Sequence, residues 1–277
     1  MKKLSILTPT RDGLVDINFT SSLLATQKLL SGEWEIEPTM ISGASDITSA
    51  RNALFNLWYQ TDVDVVMFID SDVSWNPRDL KRWLDSGLFV VSGNYPKKAF
   101  NVQNLLKAAH LLQNKYGEVD PKKALRASFE YISTGAHRKI VKGEYEGYML
   151  VDAVGMGMFM MRREAADVVM SWAEENMQKT KFSTLSYEKA VEGYPVFNHV
   201  MDEKGQGYGE DFSFCRRLGE AGVQIFLDPK MTLRHTGTVS FDGCFQDMMD
   251  VVELAKEAGN EEWREDFIGK PAETASK

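Results

Sequence analysis

Apolar runs rich in β-branched residues alternate with helix-prone segments four times within the first hundred residues. No other feature restricts the fold as much. Residues 4–7 read as a strand, and 16–30 as a helix with Ile17, Leu23, Leu24, Leu29 and Leu30 at apolar positions. A second strand is expected over 35–42. A helix over 48–59 follows, with Ala50, Leu54, Leu57 and Trp58 on one face and Ser45 or Asp46 as its cap. The third strand, 65–70, ends in Asp70-Ser71-Asp72. Asn76 and Pro77 then open a helix, and 88–93 is a fourth strand. Such alternation predicts an α/β fold with a mostly parallel sheet flanked by helices. Ligands of such sheets sit beyond the carboxyl ends of the strands. The polar loops 8–13, 43–46, 70–76 and 93–98 should converge there.

The rest of the chain is less regular. Helices are expected over 105–116 and 122–128, and short strands over 138–150 with a turn at Gly143. A glycine-punctuated strand should span 151–161, with a helix over 163–177. A loop-rich stretch ends in Gly205-Gln206-Gly207-Tyr208-Gly209. A helix over 210–220 closes at Gly222, and a strand covers 223–227. The last 35 residues read as acidic and helical, with the final eight frayed. One unit fits this organisation, read as a catalytic domain over 1–242 and an acidic helical extension over 243–277. Residues 97–150 form a basic insertion within that domain.

Composition excludes several classes. With 43% hydrophobic and 26% charged residues, the chain reads as globular. No apolar run approaches the roughly 18 residues of a membrane span. The basic-then-apolar start at Met1-Lys2-Lys3-Leu4 is soon broken by Thr8, Thr10, Arg11 and Asp12, unlike a signal peptide. The expected location is the cytoplasm, or a host's cytoplasm for a viral chain. Cys215 and Cys244 have no metal-ligand spacing and read as free core thiols. The net charge of −8 argues against indiscriminate nucleic-acid binding. Residues 97–142 nevertheless hold ten Lys/Arg against three Asp/Glu, a local excess of +7. That block is either a solvated face or a partner surface, nucleic acid included.

Four sets of residues carry possible chemistry. Asp70 and Asp72 are spaced i, i+2, which on a strand puts both carboxylates on one side. They could share a Mg²⁺ or Mn²⁺ ion. His235, at the end of a short strand, is a candidate ligand. Glu210 and Asp211 open a helix beside the Gly-rich loop; they could offset the helix dipole or supply a general base. Thr8-Pro9-Thr10-Arg11 with Asp46 and Arg51 could surround a nucleotide, Arg51 meeting a phosphate. Neither dinucleotide nor P-loop glycine fingerprints occur.

The ordered set of Thr8-Pro9-Thr10-Arg11-Asp12, Ser49-Ala50-Arg51-Asn52, Phe68-Ile69-Asp70-Ser71-Asp72, Gly155-Met156-Gly157, Gly209-Glu210-Asp211 and Leu233-Arg234-His235 resembles the GT-A glycosyltransferases. The likeness is to family-2-like enzymes of bacteria and phages and covers residues 4 to about 240. It implies a nucleotide-sugar donor, usually a UDP-sugar, held with Mn²⁺ or Mg²⁺. Thr8, Pro9, Thr10, Arg11, Asp46, Arg51, Asp70 and Ser71 would then surround the donor. Asp70, Asp72 and His235 would ligate the metal, and Asp211, seconded by Glu210, would be the base. The acceptor side would include Tyr95, Lys97, Lys98, Gly155 and Gly157. Met156 and Met158 stand where such enzymes more often carry small or polar residues. The basic block and Tyr95, Tyr131 and Tyr148 suggest a hydroxymethylated base in phage DNA as acceptor, reached by flipping. A saccharide or protein acceptor is the alternative. A non-catalytic nucleotide-sugar-binding module and a nucleotidyltransferase are the rival classes.

Overall fold

Period-two burial in the central strand shows how the sheet divides the molecule. Val65, Met67 and Ile69 face one core while Val66 and Phe68 face another. The computed structural model describes residues 1–44, 46–134, 139–140, 145–183 and 190–268. Ser45, the turn at Gly143, part of the 178–209 loop and the frayed final residues lie outside the described residues.

The first hundred residues form β1 (Lys2–Pro9), α1 (Ile17–Leu30), β2 (Trp34–Ile41), α2 (Ile47–Tyr59), β3 (Val65–Ile69), β4 (Val73–Trp75), α3 (Pro77–Asp85) and β5 (Val90–Gly93). The basic segment follows as β6 (Pro96–Phe100), α4 (Val102–Tyr116), α5 (Pro121–Ala127), β7 (Phe129–Tyr131), β8 (Ser133–Thr134) and β9 (Lys139–Ile140). Next come β10 (Met149–Val151), β11 (Ala153–Val154), β12 (Met158–Arg162), α6 (Arg163–Asn176), β13 (Thr180–Phe182) and β14 (Val191–Gly193). The remainder is α7 (Glu210–Glu220), β15 (Ile225–Asp228), β16 (Thr232–Thr236), β17 (Ser240–Cys244), α8 (Phe245–Glu257) and α9 (Glu261–Ile268).

The main sheet has the order β2-β1-β3-β12-β5-β15-β10-β9. Strands β2, β1, β3, β5, β15 and β9 run one way, and β12 and β10 run against them. The expected mostly parallel α/β sheet is therefore present. One core, with Phe19, Leu30 and Trp83, lies under α1 and α3. The other, with Phe55, Phe197 and Phe214, lies under α2, α6 and α7. Helix starts follow the local chemistry. Asp46 caps α2 by accepting from Ser49 N at 2.9 Å, and Asn76 caps α3 ahead of Pro77.

Two expectations about strands change. The strand read over 151–161 is divided among the end of β10, β11 and β12, with Gly155-Met156-Gly157 between the last two. The glycines let the chain pass against Tyr95, as described below. The third strand stops at Ile69, so Asp70-Ser71-Asp72 is a turn leading into β4.

The basic segment packs α4 and α5 against the acidic α8 and α9. Lys107 meets Asp266, Lys115 Glu257, Lys123 Asp250 and Arg126 Asp247. Lys97 meets Glu130 at 3.1 Å. Most of these pairs are partly exposed, so each is worth up to about 1 kcal/mol. Their main effect is to cancel the field of the block. Four cations of the block are thus paired with carboxylates of α8 and α9.

Candidate active site

The carboxyl ends of β1, β3 and β5 meet the start of β12, the start of α7 and strand β16. The turn at Asp70-Ser71-Asp72 is pinned at the centre by its backbone. Asp70 N donates to Gly157 O at 3.1 Å, Asp16 N to Ser71 O at 2.8 Å, and Thr236 N to Asp72 O at 2.8 Å. Three distant segments therefore fix one tripeptide.

The two carboxylates of this turn have different partners. Strand alternation ends at Ile69, so the i, i+2 argument for a shared ion no longer applies. Asp70 Oδ1 accepts from Arg51 Nη2 at 2.9 Å, while Asp72 turns to His235 and Lys98. Among the described residues no three His, Cys, Asp or Glu side chains group as a metal cage.

Asp72 and His235 meet because β4 and β16 pair antiparallel, with His235 opposite Val73. His235 Nε2 lies 3.4 Å from Asp72 Oδ1, and Nδ1 lies 2.8 Å from Pro96 O. A carbonyl oxygen only accepts, so Nδ1 carries a proton and Nε2 is the nitrogen offered to the site. A carboxylate oxygen and an imidazole nitrogen brought this close together suit one divalent cation such as Mn²⁺. The pair thus fits a divalent ion as two of its ligands, leaving the other positions to water and substrate phosphate. Burial pushes the Asp72 carboxyl up, but His235 and Lys98 outweigh it and hold it below the usual carboxylate value.

Arg51, expected beside a phosphate, is buried within α2. Its guanidinium joins Asp70 to Glu210, so it ties the turn after β3 to the start of α7. Burial alone would lower its basicity; Asp70 and Glu210 reverse the sign. Its Nε has no hydrogen-bond partner among the described residues. Glu210 is engaged by Arg51, whereas Asp211 is in no ion pair among the described residues and accepts from Phe212 N at 2.7 Å. Burial first, and Glu210 second, raise the Asp211 carboxyl above its ordinary value. That makes it a stronger base than a solvated carboxylate.

Tyr95 is only 5% exposed and forms the floor between these groups. Its ring stands edge-on to His235 at 5.2 Å, and Gly157 N donates to its hydroxyl at 3.2 Å. Burial and Asp70 push the phenol far above its usual value, so it stays protonated. A Cβ at residue 155 would lie 2.6 Å from Tyr95 Oη. One at residue 157 would lie 2.7 Å from the ring and 2.8 Å from Asp70 Oδ2. The two glycines are therefore the seat of Tyr95 and Asp70. Met156 and Met158 are both fully buried and belong to the core. Tyr95 offers no surface on which a flipped base could stack, which corrects that part of the expectation. Tyr131 donates its hydroxyl to Arg126 O at 3.0 Å.

The proposed nucleotide loop sits at the end of β1. Thr8 is fully buried and its Oγ1 finds no partner among the described residues. Pro9 is buried, Thr10 donates to Ile41 O at 3.0 Å, and Arg11 is exposed. Asp46 serves as the cap of α2. Lys97 turns away from the site to Glu130, while Lys98 turns into it and meets Asp72.

A cleft of about 570 Å³ runs along α7, lined by Tyr208, Phe212, Arg216, Asp152 and Gln224 among others. The Gly-rich loop before it is organised by Asp202. This carboxylate accepts from Lys204 N, Gln206 N and the Tyr208 hydroxyl at 2.9, 2.8 and 3.1 Å. Sequence reasoning missed the cleft; the only signal was the aromatic-glycine pattern around Tyr208. Cys215 lines its wall, and burial pushes its thiol up to about 12, so it is no nucleophile.

No family model matches the chain, and no curated protein matches its sequence. Among solved structures, the chain is similar to A197 from STIV at 15% identity. The match covers 86% of each chain with a TM-score of 0.47. It is also similar to a mutant of the Drosophila β1,4-galactosyltransferase 7 in complex with manganese, UDP-Gal and xylobiose. There identity is 15%, coverage is 82% of this chain and 65% of that one, and the TM-score is 0.38. A third is 4-diphosphocytidyl-2C-methyl-D-erythritol synthase from Anaerococcus prevotii. It is 9% identical over 79% of this chain and 99% of that one, with a TM-score of 0.31.

Proposed function

We propose that the chain is a glycosyltransferase, moving a sugar from a nucleotide-sugar, with a UDP-sugar expected, to an acceptor hydroxyl with inversion. The observation that carries this reading is the division of labour between two sites joined by Arg51. On one side Asp72 and His235 present an anionic and an imidazole ligand. On the other Asp211, with raised basicity, stands in the first turn of α7, next to Phe212, which lines a cleft. A non-catalytic binding module has no need of a carboxylate held in that condition.

In the reaction the acceptor oxygen bonds to the anomeric carbon while the bond from that carbon to the diphosphate oxygen breaks. The diphosphate leaves with the electron pair, and the acceptor proton passes to Asp211 Oδ. Asp72 and His235 would hold Mn²⁺ or Mg²⁺, which when bound would supply Lewis-acid stabilisation of the diphosphate. Arg51 acts through Asp70 and Glu210, fixing the donor turn relative to the base. Tyr95 fills the floor and excludes water. Thr8, Pro9, Thr10, Arg11, Asp46 and Ser71 are assigned to the donor's nucleoside side. Residues 1–242 would form the catalytic unit and 243–277 its acidic extension.

We infer a saccharide acceptor rather than a hydroxymethylated base in DNA. The cleft along α7 is lined by the aromatic residues Tyr208 and Phe212 together with the polar Arg216, Asp152 and Gln224. Lys107, Lys115, Lys123 and Arg126 of the basic block that suggested DNA are paired with the chain's own acids.

The test is a nucleotide-sugar screen with Mn²⁺, read first as thermal shift, because ligand binding raises apparent stability by mass action. Product analysis follows with oligosaccharide acceptors. Release of free nucleoside diphosphate is expected, and Asp211→Asn and Asp72→Ala should both abolish it. Pyrophosphate release would favour the nucleotidyltransferase class. Undiminished turnover in both variants would refute this assignment.

A further inference from the structure

Lys98 is the cation that the transfer scheme leaves unused. It lies on β6, two residues after Pro96, whose carbonyl orients His235. Its Nζ contacts Asp72 Oδ2 while His235 faces Oδ1, so the two oxygens of one carboxylate are divided between an imidazole and an ammonium. The stem has a built track. A Cβ on residue 237 would fall 2.9 Å from Lys98 Cδ and 3.6 Å from Cγ and Cε. The glycine leaves room for the lysine stem beside the strand end that carries His235. Arg51, the other cation bound to this turn, is fully committed to Asp70 and Glu210.

We propose that the Lys98 ammonium is the resident cation for the donor's diphosphate, so that a nucleoside diphosphate binds without a divalent ion. Three observations support it. Asp72 and His235 are only two ligands, and no third acidic or imidazole side chain joins them among the described residues. An ion held by so few protein groups depends on its substrate for retention. Lys98 and Asp72 are 38% and 36% exposed, so their pairing is weak and the ammonium can swing to a phosphate at small cost. Lysine is a point-charge phosphate binder, and its four-carbon stem supplies the reach. Asp72 then serves as the counter-ion that parks Lys98 at the site. This assignment rests on the donor reading proposed above and moves Lys98 from the acceptor side to the diphosphate.

The experiment is calorimetric titration of UDP, GDP, CDP, TDP and ADP into the full chain, once in EDTA and once in Mn²⁺. Wild type is compared with Lys98→Met, Lys98→Gln, Lys98→Arg and the control Lys107→Met. Thermal melts first establish that each variant is folded, and either neutral variant suffices for the argument. Wild type should bind one of the diphosphates in EDTA. Loss of a charge-assisted contact should weaken that binding at least about tenfold in the neutral variants. Mn²⁺ should restore most of it, and Lys98→Arg and Lys107→Met should stay near wild type. Paramagnetic resonance of Mn²⁺ alone should show tighter binding to Lys98→Met, because the lysine no longer competes for Asp72. Wild-type binding that appears only with Mn²⁺ would overturn the role of Lys98, as would neutral variants that bind in EDTA like wild type. Both results leave the donor reading standing. Absence of binding for every diphosphate in both conditions would overturn the donor reading as well.

Discussion

Arg51→Met keeps an unbranched stem inside α2 and removes the guanidinium that joins Asp70 to Glu210. The side chain of Arg51 is 4% exposed, and the two carboxylates are 24% and 16% exposed. Removing one partner of a buried ion pair costs about 3–5 kcal/mol, because the remaining charge is left uncompensated. Two features place the expectation at the lower end. Both carboxylates keep some access to water, and Arg51 Nε is already without a partner. A loss of about 3 kcal/mol at neutral pH is therefore expected. Urea unfolding should show it as a lower midpoint at unchanged slope. The double variant Arg51→Met with Glu210→Gln removes a charge that the first change strands. It should be at least as stable as the single variant, since contacting residues are not additive. A loss below about 1 kcal/mol, or additive losses in the double variant, would refute the idea that Arg51 is the joint between donor turn and base helix.

Three further outcomes follow from the same geometry. The raised Asp211 carboxyl makes a contribution to stability that is full below the unfolded carboxylate value and lost as pH rises through the folded one. Asp211→Asn should thus raise the melting temperature at neutral pH, by a gain on the order of 1 kcal/mol, while transfer falls at least about 100-fold. Gly157→Ala should cost about 1–3 kcal/mol by overpacking against Tyr95 and Asp70, read as a lower melting temperature. Fluorescence anisotropy with a short DNA duplex should show no steep salt dependence; a log–log slope beyond about −4 would restore the nucleic-acid reading.

Much of the first half of the sheet was legible because it is local. The alternation over residues 1–93, the Asp46 cap and the Asn76-Pro77 helix start each depend on a few neighbouring residues. The pairing of β4 with β16 was not legible. Three residues on one side carry no periodicity, and the partner lies more than 150 residues away. Likewise the glycines at 155 and 157 read as strand punctuation, since nothing nearby announces that Tyr95 needs the space. The basic block misled for the opposite reason. A local charge count is informative only when the opposing charges are also local, and here they stand on α8 and α9.

That pairing also imposes an order on assembly at the ribosome. The strands β1, β2 and β3 and their helices can associate as soon as they emerge, because their partners are already present. Helices α4 and α5 cannot. Lys107 waits for Asp266 and Lys123 for Asp250, separations of 159 and 127 residues, and closure of such long loops is slow. While synthesis proceeds at roughly 5–20 residues per second, a cationic hairpin stays unmatched for several seconds. During that interval the nascent chain presents a charge pattern that the finished protein has cancelled.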